Sequence, residues 1–333
     1  MKDKHWSATE ERGSTFGIQL LVWLYRLFGQ WLFRIVLIPV IAYFTLTGNK
    51  ARQASYAYLA RVNAFTLSSE SPPKTVRWYH VYKHFYQFGI AAVDKIRAWL
   101  NDVTMQDVTF HNPEVFQQLR RQRPNKGAIF IGSHLGNLEL CRAIGESDSG
   151  MKINALVFTK HALKFQAALE KFNPNAQLNL IQVDSLGAET AIELKDKVDQ
   201  GEIVIIVGDR TSVTQYGRVN YADFLGKPAP FSQGPFILAN VLDCPAYLLF
   251  CLKQSGRYHI YLEHFADSLK LSRTERAQQL QSIIERYASR LEHYCLKAPY
   301  QWFNFYNFWQ KDDRAHISRA TINKNEKKSS DDS

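Results

Sequence analysis

Apolar positions fall into three regimes along this chain. After a polar stretch at 1–14, residues 16–47 are apolar almost throughout, interrupted by Arg26 and Arg34 and containing Pro39. From 50 to 100 the apolar residues recur at helical spacing, with a break at Ser71, Pro72 and Pro73. Tyr79, Tyr82, Phe85, Tyr86 and Phe88 form an aromatic stripe there, which predicts a helix with a core-facing side. Beyond 126 short apolar runs alternate with amphipathic ones. Strands are predicted at 128–131, 153–158, 178–183, 202–207, 247–252 and 258–263, and helices at 162–172, 188–198 and 232–242. Ser272, Arg273, Thr274 and Glu275 read as a capping box for a long helix ending near Leu296. The expected fold class is α/β, with a mostly parallel central sheet and helices on both faces, preceded by an N-terminal membrane-anchoring helical segment. The corresponding division is a polar tail at 1–15, an anchor at 16–49, a main domain at 50–310 and a disordered tail at 311–333.

The longest uncharged run, 35–49, is 15 residues, short of the roughly 20 needed for an unaided span. Trp23, Tyr25, Trp31 and Tyr43 bracket the segment like an interfacial belt. Two readings stay open: a longer helix crosses while Arg26 and Arg34 snorkel, or a kinked amphipathic pair dips into one leaflet. Charge sharpens the picture. The net charge is +10, and residues 17–100 hold ten basic groups against Glu70 and Asp94. Such a field suits an anionic membrane or an acidic protein; no nucleic-acid recognition motif accompanies it. Cys141, Cys244, Cys251 and Cys295 have neither metal-ligand spacing nor a pairing framework, and read as reduced core residues. His80, His84 and His111 read as structural or surface residues. No metal and no cofactor are expected.

Candidate chemistry concentrates where the run at 128–131 ends. Gly132, Ser133, His134, Leu135, Gly136, Asn137, Leu138 and Glu139 follow, and the pattern turns helical from Leu138. A strand ending in a polar turn that opens a helix is where open α/β sheets place ligands. His134 on the loop and Glu139 about a turn along are spaced for the imidazole to fold back onto the carboxylate as a general base. A surface His followed by a helix-start Glu would look the same. Ser133 does not stand in a G-x-S-x-G elbow.

The string from Gly132 to Glu139 resembles the HxxxxE box of the lipid A secondary acyltransferases, within a wider superfamily of lysophospholipid-type acyltransferases. Gly208-Asp209-Arg210, the stretch from Phe224 to Ala229, Gly234-Pro235 and Leu238-Ala239-Asn240 follow in that family's order, so the resemblance covers about 17–310. It implies a membrane-bound O-acyltransferase, facing the cytoplasm from a bacterial inner membrane. The enzyme would move a fatty acyl chain from acyl carrier protein or coenzyme A to a hydroxyl of a lipid or glycolipid. His134 and Glu139 are the expected catalytic pair, acting without a covalent intermediate. Gly136, Asn137, Asp209, Arg210 and Lys160 are expected to bind substrate, with helix-start amides serving the oxyanion. Asp209 would orient Arg210 or form a structural ion pair with it. Lys160 stands where the family tends to carry Arg. Arg120, Arg121 and Arg123 are expected to receive an acidic acyl carrier protein. A serine hydrolase using Ser133, or an inactive membrane adaptor of the same fold, are the alternatives.

Overall fold

A computed structural model describes residues 15–66, 75–100, 102–122, 126–141, 152–157, 179–182, 187–210 and 218–309. Lys160, Arg123, the helix expected at 162–172 and the tail from 311 lie outside the described residues. Three helices come first: α1 (Thr15–Thr47), α2 (Asn49–Thr66) and α3 (Trp78–Trp99). The strand β1 (Val108–His111) and the helix α4 (Pro113–Gln122) lead into β2 (Ala128–Gly132). Then come β3 (Ile153–Val157), β4 (Asn179–Gln182), α5 (Ala188–Asp199) and β5 (Ile203–Val207). A hairpin of β6 (Val219–Phe224) and β7 (Lys227–Ser232) precedes α6 (Gly234–Leu242). The chain continues through β8 (Ala246–Gln254), β9 (Arg257–Ala266) and α7 (Arg276–Lys297).

Seven strands form one sheet in the order β1-β9-β8-β2-β5-β3-β4. All neighbours are parallel except β8 and β9, which form an antiparallel hairpin. The central strands are wholly apolar because both their faces are covered. Ile129, Ile131, Val204 and Ile206 enter one hydrophobic cluster, and the alternate residues Ala128, Phe130, Ile203 and Ile205 enter the other. Gly132 pairs with Val207 in register, so β2 and β5 end side by side. The predicted strands and helices within the described residues are present with ends shifted by a few residues. β1, α4 and the β6–β7 hairpin are additions. Ser272 accepts from the Glu275 amide at 3.1 Å, which caps a turn ahead of α7 rather than the helix itself.

α1 is one helix only across a break at Gly29, whose φ of 69° is left-handed and suits glycine. Phe33, Leu37 and Ile41 form its buried ridge. Gly89 of α3 lets that ridge come close: a Cβ there would stand 3.0 Å from the Ile41 Cδ1. Tyr82 and Tyr86 donate their hydroxyls to the carbonyls of Ile38 and Arg34. The aromatic stripe of α3 therefore divides. Phe85 is buried, whereas Tyr79 and Phe88 are exposed. Among the described residues no single helix is long and apolar enough to cross a membrane; the pair Trp31–Thr47 and Asn49–Thr66 passes that test together but is bent by 94°. All four cysteines are buried and free.

His84 illustrates how the helices are tied to the sheet domain. It is fully buried, with Nδ1 2.8 Å from the Ser55 hydroxyl and Nε2 2.8 Å from the Trp302 carbonyl. A carbonyl only accepts, so Nε2 carries the proton and Nδ1 accepts from Ser55. Burial pushes its pKa down to about 4. The unfolded chain binds this proton below about 6.5 and the folded one does not until about 4. Stability is therefore intact above 6.5 and falls by about 3 kcal/mol as pH drops through that window. Urea titrations at pH 7 and 4.5 should show the wild type losing more stability than His84→Gln. An equal loss in both would mean that His84 is not the titrating group.

Candidate active site

The loop from 133 to 137 leaves β2 and is held on every side by the protein. The His134 amide donates to Asp209 Oδ2 at 2.8 Å, and the Leu135 amide to the Ser133 hydroxyl at 3.3 Å. The Gly136 amide donates to the Gln301 carbonyl and the Asn137 amide to the Cys251 carbonyl. Four consecutive loop amides, from His134 to Asn137, are therefore engaged within the protein, and the helix proper starts at Leu138. Gly136 and Asn137 also take structural roles. Gly136 has φ +74°, and a Cβ would lie 1.8 Å from the Cys251 carbonyl oxygen. Asn137 donates to the Ala91 carbonyl and accepts from the Leu140 amide, capping the helical turn. The close approach that needs glycine is to β8.

The His134 ring is held by Asp209, at the end of β5. Nδ1 lies 2.8 Å from Asp209 Oδ1, while Oδ2 receives the His134 amide and the Trp302 indole N–H, both at 2.8 Å. Asn304 donates to the Asp209 carbonyl at 3.1 Å. Asp209 is fully buried, and these donors with the imidazole hold its carboxyl below the usual range despite burial. The expected His134–Glu139 pairing is thus corrected: Asp209 occupies Nδ1, and Glu139 forms an ion pair with Lys95 on α3 at 3.5 Å. Arg210 Nε donates at 3.3 Å to Asn304, the residue that also donates to the Asp209 carbonyl. The physical reason for the His134 pairing is the sheet. β2 and β5 are neighbours, so residues just past their carboxyl ends meet, although 75 positions separate His134 from Asp209.

Two glycines let the strand ends converge. A Cβ on Gly208 would strike the Tyr287 ring at 2.7 Å, and the Tyr287 hydroxyl donates to the Gly132 carbonyl. About a quarter of the His134 side chain stays open to solvent, at 26%. Burial depresses its pKa first, then the Arg210 charge, against the opposing pull of Asp209; the net shift is downward. The ring is neutral at pH 7, with the proton on Nδ1 and the lone pair on Nε2. Ser133 is buried and its hydroxyl accepts from Leu135. Sequence reading missed Trp302 and Asn304, which lie on an irregular segment after α7 with no motif to mark them.

A neutral imidazole oriented by a buried carboxylate, at the carboxyl ends of adjacent parallel strands of an α/β sheet, has the chemistry of a general base. The profile of the bacterial lipid A biosynthesis acyltransferase family matches residues 18–311. The chain belongs to that family and is an acyltransferase. No curated protein matches it.

Proposed function

We propose that this acyltransferase is membrane-bound and moves a fatty acyl chain from a thioester of acyl carrier protein or coenzyme A to a hydroxyl of a lipid A precursor or related glycolipid. The observation that carries this reading is the His134–Asp209 pair, set with the proton on Nδ1. As the acceptor oxygen forms its bond to the thioester carbonyl carbon, Nε2 of His134 takes the hydroxyl proton. Asp209 stabilises the imidazolium. The tetrahedral intermediate then expels the thiolate, which recovers that proton from His134. A thioester is already activated, so no protein nucleophile and no cofactor enter. Arg210, close enough to depress the His134 pKa, is the cation assigned to the developing oxyanion or to a substrate phosphate. Glu139 keeps its place in the proposed site as the group that ties the loop's helical turn to Lys95. His134→Ala should lower transfer of a labelled acyl chain from acyl carrier protein to a lipid A precursor by about 100- to 10,000-fold. Wild-type rates in that variant would refute the role of His134.

The membrane reading rests on α1. Its inner ridge is buried, yet the opposite face shows Trp31, Ile35, Ile38, Tyr43 and Leu46, with Trp31 68% and Leu46 75% exposed. A helix apolar all round but covered on one side needs a second apolar phase. α1 lies in one leaflet of a bacterial inner membrane, bent away from α2, with the catalytic domain on the cytoplasmic side. Trp31→Ser, Ile38→Ser and Leu46→Ser together should weaken co-sedimentation with phosphatidylglycerol-containing vesicles by on the order of 100-fold or more, from the apolar area each removes. Unchanged sedimentation would contradict the anchor. Arg120 and Arg121, both exposed in the last turn of α4, are the proposed contacts for an acidic acyl carrier protein.

A further inference from the structure

Beneath the site a buried chain of hydrogen bonds runs from the helices to the base. It passes from the Ser55 hydroxyl to His84 Nδ1, from His84 Nε2 to the Trp302 carbonyl, and from the Trp302 indole N–H to Asp209 Oδ2. Asp209 Oδ1 then meets His134 Nδ1. Ser55, His84, Trp302 and Asp209 are all fully buried. The segment carrying Trp302 also runs antiparallel beside the catalytic loop. Leu135 bridges to Trp302, the Phe303 amide donates to the His134 carbonyl, and the Gly136 amide donates to the Gln301 carbonyl. Tyr58, Phe224 and Phe308 pack around the indole with ring centroids 4.9 to 5.2 Å away.

Packing alone would be satisfied by any large aromatic ring. The indole N–H is not needed for it, and here that N–H is aimed at a carboxylate oxygen. We propose that Trp302 is a positioning residue for acyl transfer: its indole N–H holds Oδ2 of Asp209, so that Oδ1 is presented to His134, and His84 fixes the Trp302 backbone that carries the indole. The consequence is electrostatic as well as geometric. A donor on Oδ2 draws carboxylate charge away from Oδ1 and moderates its pull on the imidazole proton. Without it, Oδ1 holds Nδ1–H more strongly and stabilises the imidazolium. Among the described residues, the other charge acting on the ring is Arg210, and the buried Tyr287 hydroxyl and Cys295 thiol act on Asp209. They are unchanged by substitution at 302.

The test replaces Trp302 by Phe and, separately, by benzothienylalanine, which keeps the indole shape with sulfur where N–H was. The full-length protein is treated with diethyl pyrocarbonate across pH 4.5–8, and carbethoxylation of the His134 peptide is followed by mass spectrometry. Both variants should raise the His134 pKa by about half to one unit. They should also lower kcat for transfer from acyl carrier protein roughly tenfold, with KM for the donor little changed. His84→Gln, whose amide can still donate to the Trp302 carbonyl, should retain the wild-type titration, whereas His84→Leu should follow the Trp302 variants. Should Trp302→Phe fail to fold, the benzothienyl variant, matched in shape, decides. An unshifted His134 titration in folded benzothienyl protein overturns the proposal. The proposal rests on His134 as the base. An active His134→Ala would remove that reading, whereas an inactive His134→Ala with unshifted Trp302 variants would remove only the positioning role.

Discussion

Asp209→Asn is expected to reduce kcat by on the order of 10,000-fold while leaving the fold and donor binding largely intact. The size follows from which way the amide must face. Oδ2 accepts from two close donors, the His134 amide and the Trp302 indole, both at 2.8 Å, and from the Asn304 side-chain amide at 3.4 Å. The amide oxygen of Asn will take that position, because its NH2 group there would oppose these donors. The NH2 group then faces His134 Nδ1 and donates to it, which moves the ring proton to Nε2. The nitrogen that should accept the substrate proton is thereby already protonated. Steady-state transfer from acyl carrier protein, with circular dichroism as the control for folding, checks this. A variant within tenfold of wild type would mean that the Asp209 contact does not set the tautomer.

Gly136→Ala should be nearly as damaging by another route. Its φ of +74° costs a side chain on the order of 1–3 kcal/mol, and the Cβ would lie 1.8 Å from the Cys251 carbonyl oxygen. Neither partner is a flexible side chain, so the loop must leave β8. The amides of Gly136 and Asn137 then lose their acceptors, and His134, two residues earlier, moves with them. Misplacing a catalytic group by about 1 Å can cost on the order of 100-fold in rate. Thermal unfolding should show a lowered midpoint, and transfer should fall by at least that factor. A stable, fully active Gly136→Ala protein would show that the tight approach to β8 is dispensable.

The catalytic strand and its loop were legible because burial on both faces demands an uninterrupted apolar run, which Ala128 to Ile131 supplies, and because Gly132 and His134 break it abruptly. The partner of His134 was not legible from local spacing. Glu139 is near in sequence, and local reasoning favours near residues. Asp209 is brought in by strand order, which no single strand encodes. A signal did exist: another wholly apolar strand, β5, ends in Gly208-Asp209, and a parallel sheet places such ends together. The hairpin at 219–232 was hidden by Pro228 and Pro230, which argue against a strand. Their two-residue spacing keeps both missing N–H groups on one side of a strand whose only described partner is β6. β1 is four residues with little apolar character, and Trp302 lies outside any periodic element.

Direct transfer from thioester to acceptor is the central claim, and mass spectrometry of the intact protein during turnover tests it most directly. Wild-type enzyme is mixed with isotopically labelled acyl carrier protein thioester and a lipid A precursor, quenched on the millisecond scale and weighed. The account predicts that the label appears on the acceptor hydroxyl with no acylated protein at any time, since Ser133 is buried and bonded to Leu135 while His134 only moves a proton. An acyl adduct on the protein that forms and decays at the rate of turnover would contradict it.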